Sequence, residues 1–331
     1  MDTSSAPSAL GDASDYFTRQ LAGYGVDVAQ LAGAAVRAGA NPDQLVLAWE
    51  PSLSDIAPLR VERNHLAVFA LRELDIGPGQ SVHLHGPAQE RIALLVHSLR
   101  MAPGARLTMA MPAELVIDQL VVDQLVVDQL VVDQSHCADG TAHFVLTGPL
   151  GRNGTDGVAG IAAADAGPGQ SGGAGGNGGS ANPGLDGGDS GSARISIASL
   201  QGQALFEVTA GEGGTGGAGG RGGKGGMGWR DEAGGVTKMS MGGGGGGGSG
   251  GAGATGGRGG NGGLLQVFIA ALAPGASYAS RTTAAPGGAG GAGAAAGVPG
   301  LGHPDGTLGA AGTDGNRGAS GRPGLVNIRL V

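Results

Sequence analysis

Cysteine, lysine, aromatic residues and long apolar runs are all scarce in this 331-residue chain. Cys137 is its single cysteine, so no intramolecular disulfide framework is available and nothing points to an oxidising compartment. Aromatic residues make up 3% of the chain, too few large groups for an ordinary core throughout. No apolar window approaches the ~20 residues of a membrane-spanning helix. The start of the chain, Met1-Asp2-Thr3-Ser4-Ser5-Ala6-Pro7, has neither the basic nor the apolar segment of a secretory signal. Membrane insertion and default export are therefore not expected, leaving the cytoplasm or a non-classical route outward. Positive charge is thin as well: the net charge is -8, and residues 1–147 hold 8 Arg against 17 Asp plus Glu. Nucleic acid, which needs a concentrated basic face, is not an expected partner.

Glycine fills the space those residues leave. Of 74 glycines, ten lie in residues 1–147 and 64 in 148–331. A half so poor in large side chains either stays disordered or is held by backbone hydrogen bonds. Against this background a strand pattern recurs, apolar-x-apolar-x-x-Leu. It occurs at Phe69-x-Leu71-x-x-Leu74, Leu94-x-Val96-x-x-Leu99, Leu115-x-Ile117-x-x-Leu120, Ile195-x-Ile197-x-x-Leu200 and Val267-x-Ile269-x-x-Leu272. A Gly-x-x-apolar step follows four of them, from Gly79 to Val82, Gly104 to Leu107, Gly202 to Leu205 and Gly275 to Tyr278. Residues 65–89 and 90–114 align without gaps, with Pro78/Pro103 and Gly79/Gly104 at the turns. Strand units repeated every ~20–25 residues predict a β-solenoid, whose neighbouring coils cover each other. The terminal Val326-x-Ile328-x-x-Val331 fits the same pattern and predicts a sticky last rung.

Three regions follow. Residues 1–61 read as a flexible leader and a short helical segment, because Phe17, Leu21, Tyr24, Val28, Leu31 and Ala35 step by four and three. Residues 62–147 carry the solenoid-like repeats and an insertion of Leu-Val-Val-Asp-Gln pentads ending at Gln134. A period of five keeps its leucines on one side of neither a strand nor a helix. It fits either a tandem duplication at an edge or loop, or a pentapeptide-type coil.

Residues 148–331 interleave strands with glycine triplets. Gly148 to Gly160 and Gly306 to Gly324 keep strict Gly-x-y phase, whereas 172–180, 213–228 and 242–263 run mostly as Gly-Gly-x. A period of three is that of the polyproline-II helix. Disorder, a collagen trimer and an intramolecular bundle of polyglycine-II helices all share it. Gly-Gly-x tracts have two bare edges and suit the interior of a bundle; Gly-x-y tracts have one and suit its outside. The strands between tracts favour the bundle, because they return the chain to a common sheet.

The segment Ala193-Arg-Ile-Ser-Ile-Ala-Ser-Leu-Gln-Gly-Gln-Ala-Leu-Phe-Glu-Val, followed by the Gly-Gly-x run from Gly213, resembles a group of bacterial and fungal glycine-rich proteins. These alternate short strands with collagen-like or Gly-Gly-x triplets. The tracts alone are similar to the PGRS repeats of mycobacteria, the snow-flea antifreeze proteins and glycine-rich adhesins of phage tail tips. The resemblance covers about residues 65–331, and residues 1–60 do not match the mycobacterial PE domain. It implies a fold of strands and polyglycine-II tracts, and no reaction.

Candidate chemistry is sparse. Gly169-Gln170-Ser171-Gly172-Gly173 satisfies the G-x-S-x-G form, but the strand and helix that build a nucleophile elbow are not expected around it. Gly188-Asp189-Ser190-Gly191 and Ser135-His136-Cys137 lack the surroundings of a serine protease, and the Gly219 to Gly225 run lacks the P-loop spacing. His83 and His85 stand two apart on a strand and His97 lies on the next rung, so three imidazoles on one face would be metal-ligand candidates. The alternative is a solvated strand face, and no metal or other cofactor is assigned. The fold expectation is mainly β, a parallel β-solenoid-like stack with an attached polyglycine-II bundle and a short N-terminal helical segment. The functional expectation is a non-enzymatic, self-associating scaffold, as a homo-oligomer or filament. The alternative is a surface-binding module, of adhesin or ice-binding type, presenting its flat triplet face to a glycan or other ordered surface.

Overall fold

A computed structural model describes residues 18–19, 22–23, 35–37, 44–48, 59–63, 66–85, 91–123, 143–229 and 242–331. Its core begins with the alternation of apolar residues noted above. Strands β4 (Leu66–Ile76), β6 (Arg91–Met101), β8 (Ala113–Val122), β10 (Ser192–Gln201), β12 (Leu264–Leu272) and β14 (Leu325–Leu330) stack in that order as neighbours of one sheet, all parallel. Short strands β1 (Ala35–Arg37) and β3 (Leu59–Arg63) complete this eight-stranded sheet, both on the outer edge of β4, with β3 antiparallel. Between them in the chain come β2 (Gln44–Ala48), β5 (Ser81–His85), β7 (Arg106–Met109), β9 (Phe144–Leu146), β11 (Gln203–Val208) and β13 (Ser277–Thr282), which form a second, six-stranded parallel sheet. Among the described residues the chain is thus mainly β, in two parallel sheets.

The two sheets share one core. Phe69, Leu71, Leu74 and Ile76 of β4 face it, above the equivalent residues Leu94, Val96, Leu99 and Met101 of β6 and Leu115, Ile117, Leu120 and Val122 of β8. From the second sheet come Val82, Leu84, Leu107, Met109, Phe144, Leu146, Phe206 and Val208. The Phe144 and Phe206 rings stack with centroids 5.2 Å apart, a favourable offset arrangement for neighbouring rungs.

The two-residue step in the middle of the pattern has a structural cause. Pairing between neighbouring strands is interrupted at one position, between Leu71↔Val96 and Glu73↔Ser98, and again between Val96↔Ile117 and Ser98↔Gln119. The same interruption recurs between β8 and β10 and between β10 and β12. Arg72, His97, Asp118, Ala198 and Ala270 therefore fall in one column, where these strands shift phase together; the shift returns Leu74, Leu99, Leu120 and Leu200 to the core, whereas Leu272 of β12 is 37% exposed.

Two strands depart from the sequence pattern. The corner between β10 and β11 is the single residue Gly202, where the β4–β5, β6–β7 and β12–β13 corners use four. That shortening changes the parity, so Ala204, Phe206 and Val208 face the core and Leu205 does not belong to it. In β14, Ile328 and Leu330 lie opposite Val267 and Ile269. The repeat motif therefore begins at Ile328, two residues later than the Val326-x-Ile328-x-x-Val331 alignment.

The N-terminal helical segment is not supported. Among the described residues, only Thr18, Arg19, Ala22 and Gly23 have helical backbone, and the expected stripe ends on a strand, since Ala35–Arg37 is β1. The physical reason is competition. Glycines weaken the helix by about 1 kcal/mol each, and the edge of β4 offers Glu73 to Asp75 as strand partners. The remainder of that segment, the pentads beyond Asp123, and Cys137 lie outside the described residues. No helix among the described residues is long and apolar enough to cross a membrane.

Between its strands, the glycine tracts of this half are neither helix nor sheet, and their backbone bonds run between tracts. Six tracts, 148–166, 170–191, 211–228, 242–263, 285–302 and 304–324, connect β9 to β10, β11 to β12 and β13 to β14 in pairs. Every third amide of the first tract donates to the third tract: Gly154 to Thr215 O, Gly157 to Ala218 O and Gly160 to Arg221 O, at 2.7–2.8 Å. These two run in the same direction. Oppositely directed neighbours bond with the same period, as in Gly176 to Ile161 O, Gly179 to Val158 O, Gly220 to Gly179 O and Gly251 to Gly220 O. The third and fourth tracts, the Gly-Gly-x ones, each bond four others; the first and sixth, the strict Gly-x-y ones, each bond two.

Bare edges explain that distribution. A Cβ on Gly217 would collide with the Thr155 carbonyl, and one on Gly220 with that of Val158. The non-glycine position is satisfied differently. Asn153, Asp156 and Asp165 Oδ1 accept the amides of Thr215, Ala218 and Met227, and Asn177, Asp186 and Asp189 Oδ1 accept those of Ser249, Arg258 and Asn261. Side-chain oxygens on one tract thus satisfy donors that bare glycine edges leave over on the next.

Candidate functional site

Three places carry enough chemistry to be weighed. The first is the end of the strand stack. β14 is paired on one side, to β12, and its other edge has no strand among the described residues. Its core-facing residues are apolar: Val326 and Ile328 pack against the core, and Leu330 lies opposite the buried Ile269. Leu325, Leu330 and Val331 are nevertheless 60%, 58% and 66% exposed. The end strand of the other sheet is built differently. In β13, Tyr278, Ser280 and Thr282 lie opposite the core residues Ala204, Phe206 and Val208, so this end of the second sheet is polar. β13 is also fastened by Arg281, whose Nε and Nη2 donate to Glu207 Oε1 and Oε2 at 3.1 and 2.7 Å. One sheet therefore ends in a wet strand and the other in an apolar one.

The second place is the phase-shift column. His97 Nδ1 lies 2.8 Å from Asp118 Oδ2, and Asp118 is 4% exposed. Burial pushes the Asp118 carboxyl above its ordinary range, while the charge of and hydrogen bond to His97 pull it back. The pair ties β6 to β8. Arg100 Nε to Asp123 Oδ2, at 2.9 Å, ties the same two rungs nearby.

The sequence grouped His83, His85 and His97 on one face, and the structure separates them. His83 and His85 are in β5 of the six-stranded sheet and His97 is in β6 of the eight-stranded one. Among the described residues, no three His, Cys, Asp or Glu side chains are grouped to hold a metal. Burial lowers the His83 pKa, and its Nε2 is enclosed without a hydrogen-bond partner, as suits a neutral imidazole. The residue that pairs with His97, Asp118, escaped the sequence reading because it stands inside the pentads. Its signal was positional, since it aligns with His97 in the repeat.

The third place is a shallow polar cleft of about 220 Å³ on the tracts, where Asp186, Asp189, Arg258, Asn261, Ser320 and Arg322 meet. Both aspartates already spend an oxygen on the neighbouring tract's amides, so the cleft arises from the Asp and Asn bonds that hold the tracts together. The Gly169-Gln170-Ser171 motif starts the second tract, and Ser171 Oγ accepts the Gly243 amide. No strand leads into it, as the elbow would need.

No protein-family model matches this chain, and no curated protein matches it. Among solved structures, the springtail antifreeze protein from Granisotoma rainieri, described as a nine polyproline type II helical bundle, is 27% identical and covers 54% of this chain and 97% of its own. Its TM-score is 0.09, at which the likeness carries no argument about this chain.

Proposed function

We propose that this chain is a non-enzymatic structural protein that self-associates through the end of its strand stack. In this reading the alternating strands are coils of a flattened β-solenoid. The glycine tracts are polyglycine-II helices bundled beside it, each pair replacing the return loop of one coil. The three-residue period of the inter-tract bonds supports the bundle, since polyproline-II geometry turns once in three residues. The observation that carries the function is the apolar edge of β14, unpaired among the described residues, with Leu325, Leu330 and Val331 exposed. An open, apolar edge strand is a template for another chain. Sedimentation velocity over a concentration series tests this. Species larger than the monomer should appear as concentration rises; a monomer throughout would overturn it.

A second reading is favoured by one specific feature. The second, fourth and sixth tracts present neighbouring columns of mostly small side chains, including Ser180, Ala252 and Thr313. Successive members of a column stand about 9 Å apart along a polyproline-II axis. Such a flat, periodic face suits adsorption to an ordered surface such as ice or a glycan array. Adsorption that survives loss of self-association would favour this reading.

A further inference from the structure

We propose that β14 pairs antiparallel with β14 of a second copy, about a two-fold axis at Ile328, so that the protein closes as a dimer and does not grow into filaments. This rests on the preceding reading that the chain self-associates, and it names the partner and the register.

The sequence of the edge supplies the register. Residues 325–331 read Leu-Val-Asn-Ile-Arg-Leu-Val. An antiparallel partner must keep core-facing residues opposite core-facing residues, because a slip of one residue turns every side chain to the other face. Among the registers this allows, the one centred on Ile328 pairs all of 325–331. It sets Leu325 against Val331 of the second copy, Val326 against Leu330, Asn327 against Arg329 and Ile328 against itself. Each of the exposed apolar residues Leu325, Leu330 and Val331 then gains an apolar partner. The charged Arg329 meets an amide and not a second arginine, so no like charges oppose each other. The segment is self-complementary in character about its centre, which is what an isologous contact requires.

The other end of the stack explains why growth stops. The outer edge of β4 is divided between β3, which pairs antiparallel with Leu66 to Ala70, and β1, which pairs with Glu73 to Asp75. β3 is five residues long, and Arg60, Glu62 and Arg63 are three of them. Short, charged strands of mixed direction blunt an edge against further pairing. A head-to-tail array would need β14 to dock there, whereas a two-fold dimer needs the β14 edge alone. The polar end of the second sheet agrees. Tyr278, Ser280 and Thr282 of β13 suit an end that stays wet while β14 is covered.

Disulfide trapping tests the register in the full chain. With Cys137→Ser as background, Ile328→Cys should cross-link two copies on mild oxidation, because residues facing each other across a two-fold antiparallel pair lie about 4.5–5.5 Å apart at Cα. Leu325→Cys alone should not cross-link, but should do so when combined with Val331→Cys. As a check on the edge away from its core-facing column, Leu325→Lys, at a position 60% exposed, should weaken the dimer roughly tenfold or more in sedimentation equilibrium, with an unchanged circular dichroism spectrum. A dimer limit with these cross-links supports the inference. Oligomers that grow past two, or a dimer that fails to cross-link through Ile328→Cys, overturn it while leaving self-association standing. A monomer at every concentration overturns both.

Discussion

Asp118 sits almost fully buried in the column where the strands shift phase, held by His97 on the next rung. Burial raises its pKa above the aspartate value of about 3.9, with His97 opposing the rise. The folded protein therefore binds this proton more readily than the unfolded chain. The stability this contributes is full below the unfolded pKa and is lost as pH rises through the folded one. Urea midpoints measured from about pH 3 upward should show that loss in the parent and a smaller one in Asp118→Asn; equal slopes would contradict it. In the tracts, a single methyl group decides more than a charge. Gly217→Ala places a Cβ against the Thr155 carbonyl and should cost about 3 kcal/mol or more in chemical denaturation. Thr215→Ala, on the exposed third position of the preceding triplet, should stay within about 0.5 kcal/mol. The sequence made the bare glycines legible as contact positions. It did not make legible the Asp and Asn residues that bridge tracts, because their partners lie 62 or 72 residues away.

The strand and its corner are the repeating elements. The motif from Phe69 to Leu74 and its later copies were readable from spacing, and the phase shift after Leu71 explains why the spacing is two then three. The corners were less readable. Gly202 turns in one residue where Gly79, Gly104 and Gly275 belong to longer turns, and only the structure reveals which residues that change of parity buries. Both Gly202 and Gly275 have φ near +80°, at +87° and +80°. Alanine at Gly275 has open space around it and should cost about 1 kcal/mol for the backbone alone. Alanine at Gly202 would also strike the Val122 carbonyl and should cost clearly more. Thermal midpoints of the two variants separate the cases, and equal losses would remove the steric argument. The expected helical segment is not supported among the described residues: its last position, Ala35, lies in a strand on the edge of β4.

At the scale of the whole molecule, the two compositional halves are one construction. The eight-stranded sheet runs through the change at Gly148, with β10, β12 and β14 continuing the stack begun by β4, β6 and β8. Each pair of tracts leaves the sheet from β9, β11 or β13 and returns at the next rung, so the order of the tracts follows the order of the strands. That order was not visible in the glycine phase, which sets a tract's bare edges but not its neighbours. The phase does go with the number of bonded partners, which is four for the third and fourth tracts and two for the first and sixth. The central claim is that backbone bonds between tracts, and not side-chain packing, hold the glycine tracts together. Residue-resolved amide exchange on dilute, monomeric protein tests it most directly. Gly217, Gly220, Gly248 and Gly251, which donate across tracts at 2.8–3.1 Å, should be protected as strongly as the amides of β10 and β12. Exchange of these glycines at the rate of an unstructured peptide, with the strands still protected, would contradict it.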